Sequence, residues 1–235
     1  MKSNNKLLKI LAEGILIVFS ILLAFAIQAW WDERKERIEE HKLLVNLQTD
    51  FTKNKELLES SIGRFTMTIK NSQRFMDYIQ PGQPPSERQL ADSVLFKHLL
   101  WHTYDPIVGT LNSAIASGHI SLIENEGLRT ELAEWQDLVE DMKESERIDI
   151  DIMTRINEEI FRYVPTRTMA YRAGNDFMLR ESTATTDYLK LQSSLYLENL
   201  LGNRIGEMSV TLNEADMVMT SLTRIIEMLE NELSK

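Results

Sequence analysis

Two histidines four residues apart, His98 and His102, form the pair whose types and spacing best suit a metal site. On a helix both imidazoles lie on one face, where a divalent metal binds if carboxylates converge on them. The motifs His-Glu-x-x-His and Glu-x-x-His, which supply such carboxylates, are absent from the sequence. The intervening residues, Leu99, Leu100 and Trp101, are typical of a packed face. We therefore expect no metal site and no cofactor.

Composition removes several other kinds of chemistry. The sequence has no cysteine, which excludes disulfides, thiolate catalysis and cysteine-ligated zinc. No nucleophile-elbow motif and no glycine-rich phosphate loop is present. Lys and Arg number 26 against 36 Asp and Glu, and the net charge of −10 argues against nucleic acid as a partner. We expect that the protein is not an enzyme.

The most informative segment is an apolar run near the N-terminus, residues 14–31. These 18 residues carry no charge, and only Ser20 and Gln28 among them are polar. As a helix the run is roughly 27 Å long, close to the thickness of a bilayer's hydrocarbon core. Trp30 and Trp31 end it, and such rings favour the membrane interface. The run predicts a transmembrane anchor between a basic tail, residues 1–13, and a domain spanning residues 32–235.

A cleaved secretory signal is the alternative interpretation of this run. The tail is basic, and Ala24-Phe25-Ala26 matches a cleavage site. However, Glu13 interrupts the basic region, and the match lies inside an apolar run that continues to Trp31. These features favour an uncleaved anchor in the lipid bilayer. The tail is more purely basic than the mixed segment after the run, so we expect the large domain outside the cytoplasm.

One stripe of the anchor combines small and polar residues. Ser20 and Ala24 permit close approach of a neighbouring helix, and Gln28 could hydrogen-bond to it within lipid. The other interpretation of Gln28 is that it lies near the headgroups and is hydrated. We name these three as membrane-helix interaction residues and Trp30 and Trp31 as interface residues. The stripe favours a homo-oligomer.

After the anchor the apolar residues recur at helical steps. The first predicted helix continues from the anchor to Ile79 and stops before Pro81–Pro85. A second begins with the Ser86/Gln89 capping pair, breaks at Asp105-Pro106 and restarts there, and ends at Ser117-Gly118. Its apolar face is predicted to include Trp101. The apolar spacing of the first helix has one irregular step, near residue 55.

Two further helices complete the predicted domain. Asn125 is the predicted cap of a third helix, which continues to Pro165 through the strand-like alternation at residues 148–152. Residues 166–185 predict a loop with a short helix. The last helix carries a heptad seam, which suits either packing within one chain or an intermolecular coiled coil. Its members are Leu197, Leu201, Ile205, Met208, Leu212, Ala215, Met219, Leu222, Ile226, Leu229 and Leu233.

These elements predict an all-α protein in which an N-terminal transmembrane helix continues into an elongated up-down four-helix bundle with long helices. Short links favour antiparallel neighbours. The C-terminus is then expected near the membrane end of the first helix.

The anchor resembles the N-terminus of a family of uncharacterised bacterial single-pass membrane proteins, which typically read G-E-I-x-L-V and then W-x-E-x-R-K. The matching residues are Glu13, Ile17, Val18, Ile21, Leu22, Ala24, Trp31, Glu33, Arg34 and Lys35. Residues 111–135 are similar to a second recurrent piece of that family. The Gly-Glu order is reversed at Glu13-Gly14, and Ser20 replaces a glycine. The resemblance implies a bacterial membrane anchor and a helical domain, without implying an activity, and we expect the anchor in the inner membrane.

The expected function is that of a membrane-anchored helical scaffold or interaction protein of the bacterial envelope. Its expected partners are the bilayer, further copies of itself and another envelope protein. The alternative is a sensory or ligand-binding helical bundle that acts through a partner membrane protein.

Overall fold

The computed structural model describes the backbone of residues 2–80, 97, 100–172 and 180–235, and these residues form helices joined by turns and irregular segments. The α-helices are α1 (Lys2–Tyr78), α2 (Gly109–Ser117), α3 (Glu126–Phe161), α4 (Thr166–Arg172), α5 (Tyr188–Gln192) and α6 (Leu195–Leu233), with a 3-10 helix at His119–Leu122. The all-α class predicted from the sequence is confirmed.

Helix α1 passes from the apolar run into the bundle without a break. No proline interrupts residues 32–78, and Gly63, the one glycine there, costs about 1 kcal/mol in helix propensity. Within the described residues, α1 is the one helix that is long and apolar enough to cross a membrane, with a mean hydropathy of 2.1 in its most apolar window. The predicted continuity of anchor and first helix is confirmed.

The chain runs up, down, up and down along the bundle. We call the end near Leu44 the base and the end near Ile79 the top. Helix α3 rises from the base to the top, and α6 descends antiparallel to α1 and α3 and packs along each of them. Residues 100–123 descend from the middle of α1 to the base, where Glu124 meets Glu40. The C-terminus therefore lies at the base, as predicted.

Three corners of the bundle are long helices, and the fourth is filled differently over the described residues. Residues 100–108 have no regular secondary structure, and α2 begins at Gly109 after Val108. The prediction that a helix covers Trp101 and restarts at Asp105-Pro106 is therefore wrong. Residues 81–96, which hold most of the predicted second helix, lie outside the described residues, and the four-helix detail stays a prediction.

Several predicted boundaries agree with the structure. The Asn125 side chain accepts a hydrogen bond from the Leu128 N–H at 3.1 Å, which caps α3. Gly118 takes a left-handed conformation, φ 77°, at the end of α2. Residues 148–152 are helical inside α3. Helix α4 is the short helix expected within residues 166–185, of which 173–179 lie outside the described part.

Each long helix buries a heptad seam that includes polar residues. In α6 the buried positions step regularly by three and four through Leu201, Arg204, Met208, Thr211, Ala215, Val218, Leu222, Ile225 and Leu229. Every second member of this set also belongs to the predicted seam. At the remaining positions the predicted seam has neighbouring residues that are only half-buried, namely Ile205, Leu212, Met219 and Ile226. The core positions are covered within a single chain, so the α6 seam closes the bundle of one protomer.

The apolar core is divided into two parts. The lower cluster lies between the base and the middle and includes Phe51, Trp135 and Leu222. The upper cluster lies at the top and includes Phe75 and Ile160. Between the two clusters the seams of all three long helices carry polar side chains.

Candidate functional site

The polar layer between the two apolar clusters is the candidate functional site. We define it as Ser61 of α1, Glu146 and Asp149 of α3, and Arg204 of α6. Their side chains are nearly or fully buried, with 1%, 4%, 2% and 0% exposure. Burial of four polar side chains in a bundle core has a cost in free energy unless each finds partners, so their contacts are informative.

Arg204 and Asp149 form a buried ion pair across α3 and α6. The guanidinium Nε donates to Asp149 Oδ1 at 2.8 Å, and Nη2 donates to Oδ2 at 3.2 Å. This two-bond geometry is the favourable one for a buried arginine and carboxylate. Nη2 also donates to the Leu100 carbonyl at 3.0 Å. The pair therefore holds two helices together and reaches a third part of the chain.

That third part is an irregular segment, Leu100–Val108, which we call the strap. Its backbone is held by side chains of the helices, in place of regular secondary structure of its own. Glu146 Oε1 accepts from the Tyr104 N–H at 2.8 Å, and Ser61 Oγ lies 3.5 Å from the Thr103 carbonyl, to which it donates. The polar layer thus binds the main chain of the strap.

Asn54, on α1 about two turns below Ser61, clamps the lower half of the strap. Its Oδ1 accepts from the Ile107 N–H at 2.7 Å, and its Nδ2 donates to the Ile107 carbonyl at 2.8 Å. An amide side chain bound in this way imitates a neighbouring β-strand. The Tyr104 ring is fully buried beside it, and the hydroxyl donates to the Asn54 carbonyl at 3.4 Å.

The electrostatics of the layer are dominated by burial. Burial raises the pKa of Glu146 to about 7, with Asp105 and Asp149 adding to the increase and the Tyr104 N–H and Lys143 opposing it. Burial also lowers the pKa of His102, and the positive charges of Arg64 and Arg204 lower it further. Near pH 7 Glu146 is therefore at about the midpoint of its titration, and the layer favours a neutral imidazole at His102.

Of the histidine pair singled out in the sequence, the structure describes one residue, His102. His102 is half-buried on the strap, which is not helical, and His98 lies outside the described residues. Among the residues that the structure describes, no three His, Asp or Glu side chains come together in a way that could hold a metal ion. His102 instead lies beside two arginines, a setting unfavourable to a cation.

The residues predicted to act in the membrane lie on the exposed N-terminal part of α1. Ser20 Oγ donates to the Leu16 carbonyl at 2.8 Å, and Gln28 Nε2 donates to both carboxylate oxygens of Asp32 at 3.0 Å. The polar groups of Ser20 and Gln28 thus have partners on their own helix. The Ala24 side chain is exposed in the single chain.

Trp30 and Trp31 lie at the end of the apolar run. Their ring centroids are 6.3 Å apart, and the Arg34 guanidinium lies 6.0 Å from the Trp30 ring centre. An aromatic pair with a neighbouring cation is typical of a membrane interface.

A second group of charged residues ties the base of the bundle to α1. Arg37 contacts both Glu40, at 2.9 Å, and Glu124. Glu40 Oε1 accepts from the Glu124 N–H at 2.8 Å. Asn125 Nδ2 donates to Glu232 of α6 at 2.6 Å. These residues line an open cleft of about 480 Å³, and their mutual pairing makes the base a structural tie between the three long helices.

Comparison with known proteins gives no assignment: no family model matches the chain, and neither the curated proteins nor the solved structures contain a significant match. The resemblance noted in the sequence thus stays a prediction.

Sequence reasoning missed the polar layer and the strap. The α1 seam passes through the polar residues Asn54, Ser61 and Thr68 in strict heptad register. A pattern of apolar residues alone does not include these positions. The irregular step near residue 55 marked the first of them. Extending each heptad through its polar positions would have found Glu146, Asp149 and Arg204.

Proposed function

We propose that the protein is a membrane-anchored helical scaffold or interaction protein of the bacterial envelope, with residues 14–31 as its single span. The observation that carries this proposal is the uncovered apolar surface of α1. Every large apolar side chain from Ile15 to Trp31 is between 50% and 68% exposed. A continuous apolar surface of this extent is unfavourable in water and suits the hydrocarbon of a bilayer.

The proposed location is the bacterial inner membrane, with residues 32–235 outside the cytoplasm. The basic tail, with Lys2, Lys6 and Lys9, supports this orientation, because basic segments are retained on the cytoplasmic side. The proposed role is binding, without catalysis. The bilayer is one partner, and further copies of the chain or another envelope protein are the others.

Reporter fusions at Lys235 test the orientation. A reporter that is active only outside the cytoplasm should give signal, and one that is active only inside should be silent. The reverse pattern would place the bundle in the cytoplasm. Recovery of the unfused protein in the soluble fraction after cell lysis would instead remove the anchor from the proposal.

Self-association through the anchor is the second part of the proposal. Ser20 and Ala24 present small side chains on one stripe, and close helix packing is what drives association in lipid, where apolar burial gives no net gain. Gln28 already donates to Asp32 on its own helix, so its side chain is less available for the predicted hydrogen bond to a neighbouring helix. We therefore assign the contact mainly to Ser20 and Ala24.

A matched pair of substitutions tests this contact. Ala24→Leu should lower the oligomer mass in mild detergent, because the larger side chain separates the helices. Ala26→Leu makes the same change on the opposite face of the helix and should leave the mass unchanged. Equal effects of the two variants, or a monomeric wild type, would contradict self-association through this stripe.

A sensory bundle acting through a partner membrane protein is the second candidate function. The polar layer favours this sensory function. A purely structural scaffold does not need a buried carboxyl group, whereas Glu146 is buried and its pKa is raised to about 7. Co-purification of a stoichiometric membrane partner, with binding that changes between pH 6 and 8, would favour the sensory role over the scaffold.

A further inference from the structure

The strap is attached to the bundle by bonds that depend on a few side chains. Asn54, Ser61, Glu146 and Arg204 hold its main chain, and the buried Tyr104 ring is its apolar anchor. Trp101 and Ile107 of the strap are exposed, at 56% and 41%, whereas His102 is half-buried and Val108 packs in part against the lower cluster. Among the described residues, the backbone–backbone bonds of the strap lie at its two ends, where the Leu100 N–H donates to Lys97 and the Val108 carbonyl accepts from Asn112, so its middle depends on these side-chain bonds.

The charges beneath the strap do not balance. Two carboxyl groups, Glu146 and Asp149, are buried three residues apart on α3, and Arg204 is the one buried basic residue in the described part of the chain. Asp149 accepts the two hydrogen bonds that the Arg204 guanidinium donates to α3. An ionised Glu146 would therefore be a second buried anion without a buried cation of its own, which is costly in a core.

Groups on every packed element act on this position. The strap brings Asp105, α3 brings Asp149 and the more exposed Lys143, and α6 brings Arg204 through its pair with Asp149. On the other side, Arg64 of α1 and Arg204 face His102 of the strap. The negative groups near Glu146 favour its neutral form, and the positive groups near His102 favour its neutral form.

We propose that the strap and the polar layer form a proton-controlled latch, in which neutral Glu146 holds the strap on the bundle and ionised Glu146 releases it. Ionisation places a charge beside Asp105 and Asp149, and that charge is relieved when the strap lifts and water reaches the carboxylate. Release uncovers the face of the bundle that Tyr104 covers. The latch goes beyond the scaffold role and does not depend on which side of the membrane the bundle occupies.

The direction of the pH effect follows from the direction of each pKa shift. The pKa of Glu146 is raised from 4.5 to about 7 in the closed state, so its contribution is complete below pH 4.5 and is lost as pH rises through about 7. The pKa of His102 is lowered from 6.5, so its contribution is present above pH 6.5 and is lost as pH falls. The strap is thus held best in mildly acidic solution and opens on the alkaline side.

Hydrogen exchange of the full chain in detergent micelles tests the latch. Exchange of strap amides is measured at pH 6.0 and 8.5, and each rate is divided by the intrinsic rate at that pH. In the wild type, protection of the Tyr104 and Ile107 amides should fall several-fold between the two values. In His102→Gln, which removes the opposing titration, the fall should be on the order of tenfold. Protection of residues 215–229 of α6 should change little.

Two variants separate the latch from a merely structural strap. Glu146→Gln keeps the acceptor oxygen for the Tyr104 N–H without ionising, so it should abolish the fall in protection between pH 6.0 and 8.5 and keep the strap protected at pH 8.5. Asn54→Ala removes the clamp without removing the titration, so it should lower protection at both pH values and keep their ratio. Unchanged pH dependence in Glu146→Gln would overturn the proposal.

Direct titration of the wild-type carboxyl group provides a test that no folding defect can affect. In a carbon-13 NMR titration of side-chain carboxyl groups, assigned by the loss of one signal in Glu146→Gln or in Glu146→Asp, Glu146 should titrate near neutral pH. Titration of that signal below pH 5 would overturn the latch.

Discussion

At the scale of single residues, the core of the bundle contains an ion pair, Arg204 with Asp149, where apolar side chains could also pack. Arg204 is fully buried, yet its guanidinium is satisfied by Asp149 on α3 and by the Leu100 carbonyl of the strap. Such a pair adds little net stability over apolar residues of similar volume, but removing one partner alone leaves an uncompensated charge. The pair therefore specifies how α3, α6 and the strap are arranged.

Substitutions in this pair should be strongly non-additive. Arg204→Met should lower the free energy of unfolding by about 3–5 kcal/mol, because Asp149 stays buried without its cation. The double variant Arg204→Met, Asp149→Leu should recover most of that loss. Thermal unfolding followed by circular dichroism, in one detergent for all three proteins, measures both effects. A double variant no more stable than Arg204→Met alone would show that the two residues do not act as a pair.

At the scale of helices, the glycines divide into those that need to be glycine and those that do not. Gly118 ends α2 at φ 77°, a conformation that other residues adopt with strain. Gly206 is exposed within α6, and nothing lies within 4 Å of the position that a Cβ would take. The two positions thus form a natural comparison.

Alanine at these two sites should have opposite effects. Gly206→Ala should raise the free energy of unfolding by about 0.5–1 kcal/mol, because alanine restricts the unfolded chain and favours the helix. Gly118→Ala should lower it by about 1 kcal/mol or more, because the left-handed conformation is strained. The midpoint of thermal unfolding reports both. A loss of stability in Gly206→Ala would indicate a contact of that helix face with another molecule.

The helices show what the sequence could predict. Apolar periodicity, Asn125 as a cap and Gly118 as a terminator are local signals, and they predicted α1, α3, α6 and the end of α2. The strap could not be predicted in this way. Asp105-Pro106 is a good helix start locally, but distant side chains such as Asn54 and Glu146 bind this backbone in a non-helical form. Tertiary bonds override local propensity here.

At the scale of the whole molecule, one helix joins the apolar segment to the core. Residues 32–235 carry a charge of −12, since residues 1–31 contribute +2. In the proposed membrane setting, this charge would oppose contact of the bundle with an anionic lipid surface. The tie of Arg37 and Glu40 to Glu124 fixes the bundle within a few turns of Trp31.

The unbroken course of α1 also sets an angular phase between the span and the bundle. Each residue inserted between Lys35 and Glu36 would rotate one part against the other by about 100° and lengthen the helix by about 1.5 Å. Two alanines inserted there would turn Ser20 and Ala24 to nearly the opposite side, whereas seven would restore the phase to within about 20° at greater length. If the anchors and the bundles associate together, the oligomer mass in mild detergent should fall with two residues and return with seven. A larger loss with seven would mean that distance from the membrane, and not phase, governs assembly.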